Sequence, residues 1–343
     1  MEIEIYNGSE ESWDKFVMNQ PKGTIYHLYG WKDIIERAYS HKSFYLVAKD
    51  GGGIVGILPL FRVKSLLFGD QLVSLPFLDV AGILCEDVNI TENLIESGKN
   101  LAHELGVDSL SLRHFESVLK EGTDDLEKVA LKLGLEKDIN QMLKRIPSER
   151  RNRIKKCQKV GLTATMVGAE GVDDFYRVFK VNMRDLGSPV HSKLFFEEMF
   201  RHIKDNVKIA FVRFEGMTIG AALCLFWRGT IHVPWVSSLR AYFKYYPNIL
   251  LYWHVMKYGC ENGYRELDFG RSSQNSGTYE FKRQWGANPV QLHWEYYLTN
   301  ANRASVHIKK EDSVFPLMIK IWKKIPVSAA TWLGPKIRKG IIN

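Results

Sequence analysis

Two glycine-containing turns constrain this chain more than any other feature. Asp50–Gly53 separates the apolar segments Phe44–Ala48 and Ile54–Val63, and Glu215–Gly216 separates Ile209–Phe214 from Thr218–Trp227. Extended apolar segments joined by a short glycine turn read as β-hairpins. Each hairpin leads into the same series of elements. The first runs through Gln71–Pro76 and Val80–Leu84 to a helix over Thr91–Leu105 and a strand at Ser109–Arg113. Thr91 suits that helix's N-cap and Gly106 its C′ position. The second runs through a strand at Thr230–Ser237 to a helix over Asn248–Glu261 and a strand at Tyr264–Phe269. A chain that runs hairpin, strand, helix, strand twice builds two similar layers, although identity between the halves is too low to show a duplication directly. At 343 residues it is also longer than one core comfortably holds.

Helical stripes precede each hairpin. Trp13, Phe16 and Val17 form one, and Trp31, Ile34, Ile35 and Ala38 another. Phe175, Val178 and Phe179, then Phe195, Phe196, Met199, Phe200 and Ile203, form a pair before the second sheet. Leu126, Val129, Ala130 and Leu133 predict a further helix that stops at Gly134. Ser148–Val160, bounded by Pro147 and Gly161, predicts a strongly basic one. The expected architecture is α/β (α+β): a first domain over residues 1–141, a second over 142–300 that opens with the basic helix, and a basic tail over 301–343. Each domain would hold a mixed, mostly antiparallel sheet flanked by helices. Hairpin, strand, helix, strand is the core order of a GNAT-like domain.

Several function classes drop out. No run of about 18 uncharged apolar residues exists, so no transmembrane helix is expected. Met1–Glu11 is acidic and does not read as a secretory signal. Cys85, Cys157, Cys224 and Cys260 are scattered, which predicts reduced thiols in a cytoplasmic protein and no zinc site. Lys155 and Lys156 would lower the Cys157 pKa, but without a histidine partner it is not read as a nucleophile. Gly51-x-Gly53-x-x-Gly56 formally matches a dinucleotide fingerprint, yet a proline-containing strand comes next where a helix would be required.

The net charge of +8 is uneven: Lys144–Lys159 carries eight basic residues against Glu149 alone, and no acid lies beyond Asp312. Such clusters attract phosphate-bearing partners. In the tail, Phe315, Leu317, Ile319, Ile321, Trp322 and Trp332 interleave with lysines, a composition suited to a membrane surface.

The chemistry concentrates in Asp268–Gly286, D-F-G-R-S-S-Q-N-S-G-T-Y-E-F-K-R-Q-W-G, where a strand end runs into hydroxyl-rich residues around Asp268, Arg271 and Lys282. Tyr279–Pro289 resembles the F-K-x-x-[FW]-G signature of Fem-type acyltransferases, which extend peptidoglycan cross-bridges. The longer F-G-R-S … S-G-T-Y-x-F-K-x-x-W-G is similar to the FemAB-related branch associated with PEP-CTERM and exopolysaccharide systems. Gly56–Leu60 with Leu72–Phe77, Met183–Val190 and Val233–Ser238 fit that branch too.

The resemblance implies two tandem GNAT-like domains and transfer of an acyl or aminoacyl group to an amine of a cell-envelope glycan precursor. Lys282 would stabilise the tetrahedral oxyanion. Asp268 would accept a proton or orient Arg271, and Arg271 would bind a substrate anion. Tyr279, Asn248 and Trp235 would line the cleft, with Arg184 and His191 facing the site. Arg151, Arg153 and Lys155 would hold phosphate of a nucleotide- or lipid-linked substrate. No cofactor is expected to stay bound and no metal is expected. The donor would be an aminoacyl-tRNA or an acyl thioester. Leu239–Asn248 has no glycine, which argues against the pyrophosphate-binding loop that acetyl-CoA requires. The protein would sit in the cytoplasm, with peripheral contact at the inner face of the membrane through its tail. The rival readings are a nucleic-acid-binding protein and a non-catalytic scaffold of a polysaccharide-assembly system.

Overall fold

The structure is a computed structural model that describes residues 1–65, 69–299 and 314–342. The chain forms two compact units. The first comprises residues 1–126, 291–315 and 336–343, and the second residues 127–290 and 316–335.

In chain order the first unit contributes β1 (Glu2–Ile5), α1 (Glu10–Asn19), α2 (Trp31–Tyr39), β2 (Lys42–Asp50), β3 (Gly53–Ser65), β4 (Gly69–Val73), α3 (Val88–Glu104), β5 (Ser109–His114) and β6 (Thr123–Asp125). The predicted hairpin closes with Asp50 opposite Gly53. Leu94, Ile95 and Ala102 of α3 bury against Leu46, Leu58, Leu60 and Leu110 of the sheet. Gly98 lets helix and sheet approach, since a Cβ there would lie 3.3 Å from Leu110 Cδ2. Two local expectations need correction. The cap of α3 is Asp87, whose carboxylate accepts from the Asn89 and Ile90 amides, while Thr91 lies one turn in and donates to the Asp87 carbonyl. Val80–Leu84 is no strand; it meets the sheet through a single bridge, Ile57 to Leu84.

The second unit contains β7 (Lys128–Gly134), α4 (Ile139–Arg145), α5 (Ser148–Lys159), β8 (Thr163–Val167), α6 (Val172–Leu186), α7 (Lys193–His202), β9 (Val207–Phe214), β10 (Met217–Trp227), β11 (Thr230–Ser238), α8 (Pro247–Glu261), β12 (Glu266–Ser273), α9 (Gly277–Arg283) and β13 (Asn288–Gln291). The chain then continues as β14 (His293–Leu298), α10 (Val314–Trp322) and α11 (Val327–Arg338). α8 is apolar on nearly every side because it packs on the sheet and on α4 and α5.

The two seven-stranded sheets have matching orders, β1-β2-β3-β4-β5-β14-β6 and β8-β9-β10-β11-β12-β7-β13. In each the fourth and fifth strands are parallel, which bears out two tandem GNAT-like domains. The sixth strands are exchanged along the chain. β7 leaves the first half to pair with β12, and β14 returns to pair with β5.

This exchange corrects two readings. Leu126–Leu133 is not a helix but leads into β7. Val129, Ala130, Leu131 and Leu133 are all buried, and a central strand covered on both faces loses the period-2 signal that marks it. The change of unit accordingly falls between Leu126 and Glu127, not after residue 141. The tail is not a separate body either: Pro316–Pro335 counts with the second unit and Lys336–Asn343 with the first. Residues 300–313, including the start of the basic tail, lie outside the described residues.

Candidate active site

In the second unit β11 and β12 pair in parallel at three levels, Thr230 with Glu266, Ile231 with Leu267 and His232 with Asp268. Beyond that level both strands continue with no further pairing to each other among the described residues. Two irregularities cause the parting. The β10–β11 register shifts where β11 passes from His232 to Trp235, and Pro234 in that step has no N–H to give a neighbour. The β12–β7 register shifts between Asp268 and Arg271, where Gly270 has φ +74°. A Cβ at Gly270 would stand 3.2 Å from the Val233 carbonyl oxygen, so glycine suits both the dihedral and the approach.

A hydrogen-bonded histidine–aspartate pair sits where the strands part. His232 Nδ1 lies 3.3 Å from Asp268 Oδ2, with the two residues 7% and 5% exposed. The other Asp268 oxygen accepts the Gly270 amide at 2.8 Å. Burial alone would raise the Asp268 pKa, but the hydrogen bond and charge of His232, the charge of Lys132 and the Gly270 amide together hold it below the usual carboxylate value. Imidazole and carboxylate paired in this way can serve as a general base and the group that orients it. Sequence reading singled out Asp268 but missed His232. The available signal was a histidine in an apolar strand, one residue before the Val233–Pro234 step.

The bulge in β12 turns two carbonyls out of the ladder, and Lys282 Nζ donates to both: Gly270 O at 2.9 Å and Arg271 O at 2.9 Å. Lys282 is 7% exposed, on the short helix α9, which starts where Ser276 Oγ accepts the Tyr279 amide. The lysine of the F-K-x-x-W-G stretch thus ties α9 to the bulge and fixes the backbone of Arg271.

The other expected residues fall into separate groups. Tyr279 packs half-buried against the unit's core. Asn248, in the first turn of α8, accepts from Ser238 Oγ at 2.5 Å. Trp235 and His191 do meet: their rings are 5.8 Å apart and edge-on, with His191 stacked on Phe195 at 4.8 Å. Arg184 pairs with Asp185 and donates to the Ile325 carbonyl at 3.1 Å.

The basic residues expected to form one phosphate cradle behave differently from one another. Arg151 Nη1 donates to the Lys144 and Ile146 carbonyls, both at 2.8 Å, closing the C-terminal end of α4. Arg153 pairs with Glu149 and lies over the Tyr246 ring at 5.1 Å. Lys155 is exposed. Cys157 is a correction: burial pushes its thiol up to about 11 despite the adjacent lysines. Between β11 and α8 the chain forms a short 3₁₀ turn at Arg240–Tyr245, then Tyr246 at φ +58° and Pro247 as the first helical residue. On α10, Leu317, Met318, Ile319 and Ile321 are exposed beside Lys320, Lys323 and Lys324. No described helix is long and apolar enough to cross a membrane.

The second unit is thus a GNAT layer opened between its fourth and fifth strands, with a histidine–aspartate pair at the opening. Comparison with known proteins agrees on the fold. Residues 148–283 match the family described as acetyltransferase (GNAT) domain. The fold is similar to that of FemX, at 14% identity and a TM-score of 0.69, covering 90% of this chain and 100% of that one. It is also similar to a C-terminal domain described as that of a lysylphosphatidylglycerol synthetase from Agrobacterium fabrum, at 13% identity and TM-score 0.58, covering 87% and 93% of the two chains. A tandem GNAT protein from the clavulanic acid biosynthesis pathway is similar at 12% identity and TM-score 0.52, with 86% and 97% covered. No curated protein sequence matches. The family match places a GNAT domain in the second unit, and the fold over most of the chain is FemX-like.

Proposed function

We propose that the second unit transfers an acyl or aminoacyl group from an ester or thioester donor to a primary amine, with His232 as general base. The observation that carries this is the buried His232–Asp268 pair at the level where β11 and β12 part. With Nδ1 donating to Asp268, Nε2 carries the basic lone pair. The amine nitrogen attacks the donor carbonyl, a C–N bond forms, and His232 takes the proton that the nitrogen sheds. Collapse of the oxyanion breaks the C–O or C–S bond, and the protonated His232 returns its proton to the departing oxygen or sulfur, which regenerates the base. Arg271, on the backbone that Lys282 fixes, binds an anionic part of the substrate. Lys282 therefore acts as a positioning residue in this reading.

The acceptor we propose is an amine on a nucleotide- or lipid-linked envelope-glycan precursor, of peptidoglycan or exopolysaccharide. The Fem-type motif and the FemX-like fold support it. An aminoacyl-tRNA or an acyl thioester other than acetyl-CoA is the proposed donor, supported by the glycine-free connection that ends in Pro247. The exposed apolar residues and lysines of α10 support contact with the inner face of the membrane.

The test is a mass-spectrometric assay in which donors of both kinds are offered with amine-bearing glycan precursors. Acceptor mass gain that falls about 10²–10⁴-fold in His232→Gln is expected, the usual contribution of a general base. Undiminished transfer by that variant would overturn the assignment of the base.

A further inference from the structure

Arg150 on α5 is the most deeply buried cation of the basic helix, at 1% exposure. Its guanidinium carbon lies 4.9 Å from the centre of the Phe281 ring and 5.5 Å from that of Trp285. The acceptor it meets is the side-chain oxygen of Gln284, bonded through Nη2. Gln284 is neutral and exposed. Arg150 Nε and Nη1 are buried without a hydrogen-bond partner, and so is the indole Nε1 of Trp285. Among the described residues no carboxylate pairs with Arg150; the nearby Glu149 is engaged by Arg153. Burial draws its pKa down from the usual guanidinium value.

A buried cation left with one neutral acceptor is costly, and an apolar residue of similar volume would pack the same site at no such cost. The packing role alone therefore does not account for an arginine here. Arg113 of the first unit makes the contrast. It lies over the Trp294 ring at 4.2 Å, and the carbonyls of Leu78 and Ile342 accept from its two terminal nitrogens at 2.7 and 2.8 Å.

We propose that Arg150 is the seat of a bound oxyanion, a phosphate or carboxylate group, which enters by displacing the Gln284 amide oxygen. Nη2 is shared by both forks of a guanidinium, Nε with Nη2 and Nη1 with Nη2. Gln284 engages that shared nitrogen with one oxygen; an oxyanion in its place engages a complete fork through two. The indole Nε1–H of Trp285 supplies a third donor, and the aromatic walls exclude the water that would weaken the bonds. In the transfer reaction proposed above the ligand would be the anionic part of donor or acceptor. The seat does not depend on that reading, and its test measures binding without turnover.

The experiment is NMR on the full chain with nitrogen-15 label, observing the arginine Nε–H and tryptophan indole signals. Arg150→Lys and Trp285→Phe assign the two resonances. Inorganic phosphate and acetate are titrated separately. We expect a saturable shift of both signals with at least one anion; saturation by phosphate alone marks a phosphate seat, and by acetate a carboxylate seat. Gln284→Glu puts a carboxylate of the chain's own on the same nitrogen. It should weaken anion binding at least about tenfold, since a charge-assisted bond replaces a neutral one, and raise the melting temperature. Gln284 is exposed, so this variant remains readable even if Arg150→Lys does not fold. Absence of any saturable shift in the unmodified protein, or unchanged affinity in Gln284→Glu, would overturn the proposal.

Discussion

The two units share a strand order but treat the junction of their fourth and fifth strands in opposite ways. In the first unit β4 and β5 pair through Val73 and Ser111, and the contact continues as the Ser74 amide donates to the Ser111 carbonyl. Ser74 Oγ then accepts the Arg113 amide, and the Arg113 side chain is held by backbone carbonyls. That junction is filled by the chain itself. In the second unit Pro234 and Gly270 break both strands just past the His232–Asp268 pair, and the described residues show no further pairing between them. Topology alone therefore does not make a site. A proline and a glycine convert a closed layer into an open one, and the ionisable pair lies where the opening begins.

The largest effect that could break this comparison is on turnover. Transfer should fall about 10²–10⁴-fold in His232→Gln, with folding unchanged. In the first unit Arg113→Met should cost stability, because two buried carbonyls lose their donor, at about 1–3 kcal/mol for each. Turnover per folded molecule should stay the same. Equal loss of turnover from both changes would mean that the division of labour between the units is wrong.

Lys282→Met comes next. It strips the donor from Gly270 O and Arg271 O in a buried place, so a loss of about 2–4 kcal/mol is expected. Turnover should drop about tenfold or more as the bulge relaxes. Chemical denaturation and kinetics together separate the two roles considered for this lysine. A fall in kcat with no change in stability would restore the oxyanion role.

Acid should weigh most heavily on the first unit, although burial also lowers the pKa of His254 in the second. Burial lowers the pKa of His27 to about 4 and of His114 to about 3, and His114 Nε2 accepts the Ile83 amide at 2.7 Å, a bond that protonation removes. Both are depressed below the ordinary imidazole value of 6.5, so the unfolded chain binds protons first. Their contribution is complete above about pH 6.5 and fades as pH falls toward 4 and then 3. Asp268 is also depressed, but from a carboxylate's lower starting value, so its contribution lasts until pH falls below about 4. Denaturation at a series of pH values should show a loss of a few kcal/mol between pH 6.5 and 4, much reduced in His114→Gln. A flat profile over that range would contradict the buried, neutral state of these histidines.

Much of this was legible in the sequence because turn chemistry and apolar period are local signals. Both hairpins, α8 and the basic helix fall within a few residues of their expected places. β7 was not legible, since a strand buried on both faces has no alternation and its partner β12 lies far along the chain. Site residues divide in the same way. Asp268, Arg271 and Lys282 converge because they belong to one contiguous stretch. His232 joins them only through the β11–β12 register, and Arg150 of α5 meets the Phe281 and Trp285 rings only through tertiary packing, pairings that no local pattern encodes.

The smallest effects concern α5, where one cradle was expected and three different roles are found. Arg151 serves the carbonyls at the end of α4, so Arg151→Ala should cost about 1 kcal/mol, reduced from the full value of a charged hydrogen bond because the residue is only half-buried. Lys155 is exposed, and Lys155→Ala should change stability by less than about 0.5 kcal/mol. If Lys155 touches phosphate, its removal should instead lessen the salt dependence of ligand binding, since each neutralised phosphate contributes roughly 0.9 to the slope on duplex nucleic acid. The two readouts, denaturation midpoint and binding across about 50–200 mM salt, should therefore sort the two residues into different columns. A small precursor held by one or two contacts predicts a slope near −1 to −2, and a nucleic acid lying along the whole helix one several times steeper. If Arg151→Ala and Lys155→Ala leave stability alone and weaken the same ligand equally, the residues do form one cradle, and the capping role of Arg151 is incidental.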